Sequence, residues 1–235
     1  MRIIAKLEIK NNQLFKGQKF EGIRYLGDPL KYIKKYYNKG VDELFILFNF
    51  ATLHSYKVDY NFLKKITDFQ IPIVSGGNVS SKENTNNILF SGADRVAINT
   101  AAVKNINLLR DLNNYFGFST ISLSLYVRKI KDKYLIYTNN CRDNSGIELN
   151  NFLAHKFKNF NNEIFLNSIE HDGMIRGLDY DLLEYVKGKI KVPLIISGGF
   201  SNKSELKKLK KYDFVKGVCI ASALHYDKVN IKDLC

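Results

Sequence analysis

A short phrase rich in β-branched residues and glycine occurs twice in the chain, at a spacing of about half its length. Ile73–Asn78 reads Ile-Val-Ser-Gly-Gly-Asn and Leu194–Phe200 reads Leu-Ile-Ile-Ser-Gly-Gly-Phe, so the two Ser-Gly-Gly cores are 122 residues apart. Each copy is followed by a second recurring phrase, Arg95–Thr100 and Gly217–Ser222, whose last residues are also 122 apart. This double repeat predicts that the chain folds as two equivalent halves.

The repeated phrases have the composition of a phosphate-binding turn. Glycines let backbone N–H groups approach an anion, and a short helix that begins in the second phrase would point its positive end at the same place. Two copies predict two phosphate sites, and hence a ligand with a phosphate at each end. The alternative is that the glycines only shape tight turns between strands and helices.

Apolar runs of strand length alternate with amphipathic segments along all 235 residues. Eight strands are predicted, at Ile3–Ile9, Leu44–Phe48, Ile73–Ser75, Val96–Ile98, Ile121–Tyr126, Ile164–Asn167, Leu194–Ser197 and Val218–Ile220. Helical patterns such as Pro29–Asn38 and Lys82–Ser91 lie between them. Strands that alternate with helices form a parallel sheet, and eight such units with a half-length repeat form a closed (β/α)8 barrel, or TIM barrel. We therefore expect residues 1–235 to form a single barrel domain with functional residues at the carboxyl ends of its strands.

Two regions depart from the alternating pattern. Arg128–Asn140, which contains the alternating run Tyr134–Tyr137, predicts a hairpin after the fifth strand. After the turn at Ser222, only Asn230–Cys235 remains for a last helix, which must therefore be short.

Composition limits the classes of partner. The net charge of +13 lies largely in lysine-rich helical segments without an aromatic-interleaved basic stripe, which favours solvated helix faces over nucleic-acid binding. No apolar run approaches the length of a membrane span, and Met1–Lys6 lacks a signal core, so we expect a cytoplasmic protein that does not enter a membrane. The three cysteines lack metal-ligand spacing, and neither a metal nor a cofactor is expected.

A series of short motifs runs through the whole chain in order. They are Arg2-Ile-Ile-Ala, Lys16-Gly, Phe20-Glu, Gly27-Asp-Pro29, Asp42-Glu-Leu44, Gly92-Ala-Asp94, Ile98-Asn-Thr-Ala-Ala-Val103, Ser168-Ile, Asp172-Gly173 and Ser197-Gly-Gly199. Together they resemble the cyclase subunit of imidazole-glycerol-phosphate synthase. The resemblance implies a barrel enzyme in a heterodimer with a glutaminase that supplies ammonia from the bottom of the barrel. It also implies closure of the imidazole ring of a bis-phosphorylated ribulosyl aminoimidazole carboxamide substrate, with release of aminoimidazole carboxamide ribotide.

The resemblance assigns the ligand's two phosphates to the repeated phrases. One phosphate would lie on Gly76, Gly77, Asn78, Asn99 and Thr100, with Asn78 at a position where the family usually has glycine. The other would lie on Asp172, Gly173, Gly198, Gly199, Ala221 and Ser222. Lys16 and Phe20 match the family's mobile active-site loop, in which a lysine can close over the anionic substrate. A solvated loop lysine is the alternative.

The family's acid–base pair corresponds to different residue types in this chain. Ring closure needs one group to take a proton while another gives one up, and the family uses an aspartate on strand one and another on strand five. Glu8 and Tyr126 stand at these positions. Glu8 keeps a carboxylate, and tyrosine, with a reference pKa of about 10, is suited to donate a proton. Phe48, Phe50 and Asn167 also replace polar residues, which predicts a less acidic, more aromatic barrel mouth.

Four charged residues match the family's gate for ammonia at the bottom of the barrel. They are Arg2, Glu43, Arg95 and Glu163. Asp94 matches an acidic position on the surface that faces the glutaminase. The alternative is an ion-pair network that only closes the barrel floor.

Three functions are compatible with these residues. The first is the cyclase of histidine biosynthesis. The second is a divergent paralogue that conducts ammonia from a glutaminase to another enzyme, such as a sugar amidotransferase of surface-glycan synthesis. The third is the sister isomerase, which shares the fold and the phosphate sites but needs no ammonia gate, so the four charged residues count against it.

Overall fold

A computed structural model describes residues 1–48 and 58–234 of the chain. Its strands are β1 (Arg2–Lys10), β2 (Gln13–Gln18), β3 (Glu21–Gly27), β4 (Glu43–Leu47), β5 (Ile73–Gly76), β6 (Arg95–Ile98), β7 (Ile121–Ile130), β8 (Lys133–Thr138), β9 (Asp143–Glu148), β10 (Ile164–Ser168), β11 (Leu194–Ser197) and β12 (Val215–Ile220). The eight parallel strands β1, β4, β5, β6, β7, β10, β11 and β12 follow one another around a ring. Pairing of β12 with β1 and of β7 with β10 closes that ring.

Helices cover the outside of the ring. They are α1 (Pro29–Asn38), α2 (Tyr60–Ile66), α3 (Lys82–Phe90), α4 (Thr100–Lys104), α5 (Ile106–Phe116), α6 (Leu149–Asn151, continued by a π-helix over Phe152–Lys156), α7 (Tyr180–Val186), α8 (Ser204–Leu209) and α9 (Ser222–His225), with 3₁₀ turns at Thr67–Phe69 and Ile231–Asp233. Local sequence sets their starts: the Asp28 carboxylate accepts a hydrogen bond from the Leu30 amide, and Pro29 occupies the first turn of α1. No helix among the described residues is both long and apolar enough to cross a bilayer.

The structure confirms the predicted (β/α)8 barrel. Each of the eight predicted strands overlaps one barrel strand, and α1 has the predicted bounds. The Ser-Gly-Gly phrases begin in β5 and β11, which are the third and seventh strands of the ring. The repeated phrases therefore lie on opposite sides of the barrel, as a half-barrel repeat requires. The last predicted helix is the 3₁₀ turn at Ile231–Asp233.

Two β-hairpins extend the sheet beyond the ring. The hairpin predicted after strand five is present, because β7 continues to Ile130 and pairs with β8. A further strand, β9, which the sequence does not predict, pairs with the other edge of β8. The segment expected to be a loop after strand one is also a hairpin, β2–β3, and β2 pairs with β1. Its turn residues Lys19 and Phe20 both have positive φ, which is typical of the tight turns that fit the twist of a hairpin. We call β2–β3 the lid hairpin.

Side chains alternate between the barrel lumen and the helix layer along each strand. Lumen residues include Ile4, Phe45, Ala97, Phe165 and Cys219, which form one buried apolar cluster. The Phe45 and Phe165 rings meet with centroids 4.5 Å apart. Because side chains repeat every second residue, β1 presents Arg2, Ile4, Lys6 and Glu8 to the lumen in order from its floor to its mouth. The two charged sites described next lie at these two ends.

Candidate active site

The floor of the barrel is a closed ring of four alternating charges. Its members are the four residues predicted as the ammonia gate, Arg2, Glu43, Arg95 and Glu163. Each arginine is paired with both glutamates, and Arg2 Nη1 lies 3.1 Å from Glu43 Oε2. Burial lowers the pKa of Arg95, but Glu43 and Glu163 outweigh burial and leave that pKa above its ordinary value. Arg95 therefore stays charged, whereas burial raises the pKa of Glu43 although Arg95 and Arg2 oppose that effect.

Asp94 lies at the same end of the barrel but outside the ring. Its carboxylate is exposed and accepts a hydrogen bond of 2.8 Å from the Ile73 amide at the start of β5. Asp42 makes the equivalent bond to the Ile3 amide at the start of β1. Asp94 therefore anchors a strand start, and this local function is sufficient to explain an aspartate there.

The mouth of the barrel contains a second buried group of four charges, here called the mouth cluster. Lys16 Nζ lies 2.6 Å from Glu8 Oε2 and 2.5 Å from Asp172 Oδ1. Lys6 Nζ lies 2.9 Å from Asp172 Oδ2 and 3.8 Å from Glu8 Oε1. Each of the four side chains is at most 3% exposed. The mouth cluster therefore balances two ammonium groups against two carboxylates in a site with almost no access to water.

The pKa values follow from this pairing. Burial alone would raise the pKa of Asp172, but Lys16 and Lys6 hold it well below its ordinary value. Burial likewise lowers the pKa of Lys6, and the carboxylates of Asp172 and Glu8 outweigh that effect and raise it. Both groups are therefore ionised near neutral pH.

Aromatic rings cover the mouth cluster. The Phe20 ring, at the tip of the lid hairpin, has Lys6 Nζ 5.2 Å and Lys16 Nζ 5.5 Å from its centroid, distances at which cations are attracted to a ring. Tyr126 packs edge-on against Phe20 and Phe165 at 5.4 and 6.1 Å. Burial raises the pKa of the Tyr126 hydroxyl, so this group keeps its proton near neutral pH.

The first repeated phrase borders an open cavity of about 300 Å³. Four of the five residues predicted for this phosphate line it, namely Gly77, Asn78, Asn99 and Thr100. A Cβ atom on Gly77 would come within 2.7 Å of the Phe48 carbonyl oxygen, so only glycine fits there. Ser124 lines the cavity, and its buried Oγ has no hydrogen-bond partner among the described residues.

The second repeated phrase borders a much smaller cavity, of about 20 Å³. All six residues predicted for the second phosphate line it: Asp172, Gly173, Gly198, Gly199, Ala221 and Ser222. The lid hairpin packs beside this cavity, against Asp172 and Gly173. The Lys19 amide donates to the Asp172 carbonyl oxygen at 2.8 Å, and the Gly17 carbonyl oxygen stands where a Cβ atom on Gly173 would lie.

Residues 2–230 match the histidine biosynthesis protein family. The chain belongs to this family. It is similar to proteins named imidazole glycerol phosphate synthase subunit HisF: that of Legionella pneumophila is 34% identical over 207 residues, covering 87% of this chain and 98% of the relative. The corresponding proteins of Natranaerobius thermophilus and Streptococcus mutans are each 31% identical over 234 residues, covering 99% of this chain and 93% of each relative.

One prediction about the mouth of this histidine biosynthesis family member needs correction. Phe48 does not face the mouth, because it packs outward against Phe62 of α2, with ring centroids 6.5 Å apart. Phe50 lies outside the described residues. The Asp172 amide donates to the Ser168 carbonyl oxygen, and its carboxylate pairs with Lys6 and Lys16. Its side chain belongs to the mouth cluster.

Lys6 is the member of the mouth cluster that the sequence interpretation missed. It is fully buried, and its ammonium also lies 3.5 Å from Asn167 Oδ1. The sequence contains a signal for this position. Lys6 is an even number of residues from Arg2 and Glu8, so its side chain lies on the same face of the strand and points into the lumen. No group of three histidine, cysteine, aspartate or glutamate residues in the described part of this family member is arranged to hold a metal.

Proposed function

We propose that this chain is the cyclase subunit of an imidazole glycerol phosphate synthase in histidine biosynthesis. A charged floor and two glycine turns belong to one barrel, with the floor at the amino ends of the strands and the turns at their carboxyl ends. This arrangement carries the proposal because it separates an entry for ammonia from the site that binds the phosphorylated substrate. The names of the relatives, each a synthase subunit, support a glutaminase partner that docks against the floor.

In this function, the two cavities hold the phosphates of the bis-phosphorylated ribulosyl aminoimidazole carboxamide substrate. Backbone amides around Gly77 bind one phosphate, and those around Gly198 bind the other together with the unpartnered Ser222 hydroxyl. The lid hairpin moves away to admit the second phosphate, which frees Glu8 from Lys16. Glu8 then removes a proton during ring closure, and Tyr126, which lines the first cavity, donates one.

Turnover with free ammonia tests this proposal. Purified chain, ammonium salts and the bis-phosphorylated substrate should form imidazole glycerol phosphate and aminoimidazole carboxamide ribotide, both resolved by chromatography. Replacing Glu8 with glutamine should lower kcat by at least about 100-fold, because a general base contributes on that order. Glu83→Gln removes a carboxylate from the exposed surface of α3 and should leave kcat unchanged. An unchanged rate in Glu8→Gln would refute the assignment of the base.

The mouth cluster favours a second candidate function. The one carboxylate that stands at a catalytic position, Glu8, is neutralised by Lys16 and lies near Lys6. An ammonia-conducting paralogue that serves another enzyme, such as a sugar amidotransferase, would need the floor but not a free base. For this candidate we expect no cyclase turnover with ammonium salts, together with stimulation of glutamine hydrolysis by a glutaminase partner.

A further inference from the structure

A further cavity, of about 300 Å³, lies at the floor end of the barrel. It opens between the π-helical end of α6 and the segment that leads from α7 into β11. Ile164, the first residue of β10, forms part of its wall, so the cavity lies beside the amino ends of the strands. Its volume is at the lower end of the range for sites that bind small molecules. It is separate from both glycine turns, which lie at the carboxyl ends of the strands.

The buried part of the cavity wall is apolar. It consists of side chains that are at most 7% exposed and belong to the barrel's main core cluster: Leu153, Phe157, Phe160, Ile164 and Ile190. The Phe157 and Phe160 rings stack at an angle of 14°, with centroids 5.5 Å apart. A planar apolar molecule could therefore remove its own rings from water by lying against this wall.

The helix beside the cavity is irregular. Residues Phe152–Lys156 form a π-helix, in which the Phe157 amide donates to the Phe152 carbonyl oxygen at 2.9 Å. Such turns are rare and occur frequently at functional sites. This one contributes Leu153 and Ala154 to the wall. Because Ala154 is exposed and small, the helix leaves the opening of the cavity uncovered.

Positive charge surrounds the opening of the cavity. Three exposed lysines line it: Lys158, Lys189 and Lys191. Among the described residues that form the wall, none is an aspartate or a glutamate. Glu148, which precedes α6, pairs with Lys133, and Glu184 of α7 pairs with Lys187. The three lysines therefore form a rim, here called the lysine rim, that is complementary to an anion.

We propose that this cavity binds a small aromatic carboxylate, with its rings against Phe157 and Phe160 and its charged group at the lysine rim. The apolar wall provides contact with the rings, and the lysine rim distinguishes an anion from a neutral molecule of the same shape. This inference goes beyond the proposed function, because the cavity and the glycine turns lie at opposite ends of the barrel.

An NMR titration of the full chain with 2-naphthoate tests the proposal. The amide signals of residues 152–160 and 189–192 should shift together and give one Kd. The neutral analogue 2-naphthylmethanol has the same rings without the charge. We expect it to bind about tenfold more weakly, because each of three exposed ion pairs contributes about twofold.

Variants of the wall and of the lysine rim locate the site. Ala154→Leu fills the cavity and should weaken binding of 2-naphthoate at least about tenfold, because an overfilled site excludes the rings. Ala154→Ser keeps the volume and should bind as the unmodified chain does. Lys158→Met/Lys191→Met should weaken binding of 2-naphthoate about fivefold and leave that of 2-naphthylmethanol unchanged. Lys207→Met/Lys210→Met, at exposed positions on and after α8, has the same net charge and should change neither affinity.

Three outcomes overturn the proposal. They are equal affinity for 2-naphthoate and 2-naphthylmethanol, unchanged binding in Ala154→Leu, and equal losses in the two double lysine variants. The last would show that the anion responds to the net positive charge and not to this cavity. If Ala154→Leu does not fold, the lysine variants still decide, because they change only exposed side chains. None of these measurements involves turnover, so an inactive chain would refute the proposed function and leave this site to be decided by binding.

Discussion

His225 shows how a single buried side chain makes the stability of the fold depend on pH. It is the last residue of α9, and its Nδ1 lies 2.6 Å from the Tyr36 hydroxyl, with the two rings stacked. Burial, reinforced by Lys16 and Lys6, lowers the pKa of His225 from 6.5 to about 3. The folded chain therefore holds this imidazole neutral at a pH where the unfolded chain protonates it.

The free energy of unfolding should therefore fall as the pH drops below about 6.5. Between pH 6.5 and pH 3 the unfolded chain binds a proton that the folded chain does not, so His225 alone removes about 1.4 kcal/mol per pH unit. Urea unfolding at pH 7, 6 and 5 measures this slope. His225→Gln should have a shallower slope, whereas replacement of the exposed His155 by glutamine should keep that of the unmodified chain. Equal slopes in His225→Gln and the unmodified chain would assign the effect to other groups.

The sequence determines the position of the glycine phrases better than the surroundings of individual side chains, because backbone geometry fixes the former. The six residues predicted for the second phosphate line one cavity, and phosphate binding there stays a prediction. Lys6 was missed because a lysine in a strand is ordinarily exposed. Phe48 was assigned to the mouth from the family resemblance, but alternation along β4 already places it outward, because Phe45 and Leu47 face the lumen.

At the scale of elements, the lid hairpin packs against the mouth beside the second cavity. The Gly17 carbonyl oxygen packs against Gly173, and the Lys19 side chain pairs with Glu170 at 2.6 Å. The hairpin was predicted as a loop because Lys16–Lys19 lacks the alternation of apolar and polar residues that marks a strand. The eight barrel strands were predictable because each is a short apolar run, whereas this hairpin is held by pairing with β1 and by the mouth cluster.

Gly173→Ala should displace the lid hairpin from the second cavity. Gly173 has φ +79°, and a Cβ atom there would collide with the Gly17 carbonyl oxygen. We expect trypsin to cleave within residues 13–27 several times faster than in the unmodified chain. Gly188→Ala is the matched control, because Gly188 has φ +75° and open space around it, so it imposes the same backbone strain without the collision. Equal cleavage rates in the two variants would mean that strain alone loosens the chain.

At the scale of the whole molecule, a group of buried ion pairs lies at each end of the barrel: the ring of four charges at the floor and the mouth cluster at the mouth. An apolar lumen with the Phe45 and Phe165 rings lies between these two sites. Buried ion pairs of this kind contribute little net stability, because desolvation offsets their attraction, but breaking one leaves an uncompensated charge. At both ends, replacing both partners of an ion pair should therefore lower the free energy of unfolding less than replacing one partner.

The floor ring provides a direct test of that expectation. Arg95→Met should lower the free energy of unfolding by about 3 kcal/mol, because Glu43 and Glu163 lose a shared partner. The double variant Arg95→Met/Glu43→Gln should recover part of that loss, as measured by urea unfolding at pH 7. Arg142→Met, at an exposed turn, should change the stability by less than about 0.5 kcal/mol. A double variant less stable than the single one would show that the ring is net stabilising.

The two hairpins link the halves of the barrel crosswise. The lid hairpin belongs to the first half and contacts Asp172 and Gly173 of the second, whereas the Asn139 amide, beside β8 of the second half, donates to the Thr100 hydroxyl of the first. Each half therefore completes the mouth of the other. A fragment that contains one half would lack the contact that the hairpin of the other half makes. Joining the halves in one chain keeps each hairpin close to the segment that it contacts, at a high effective concentration.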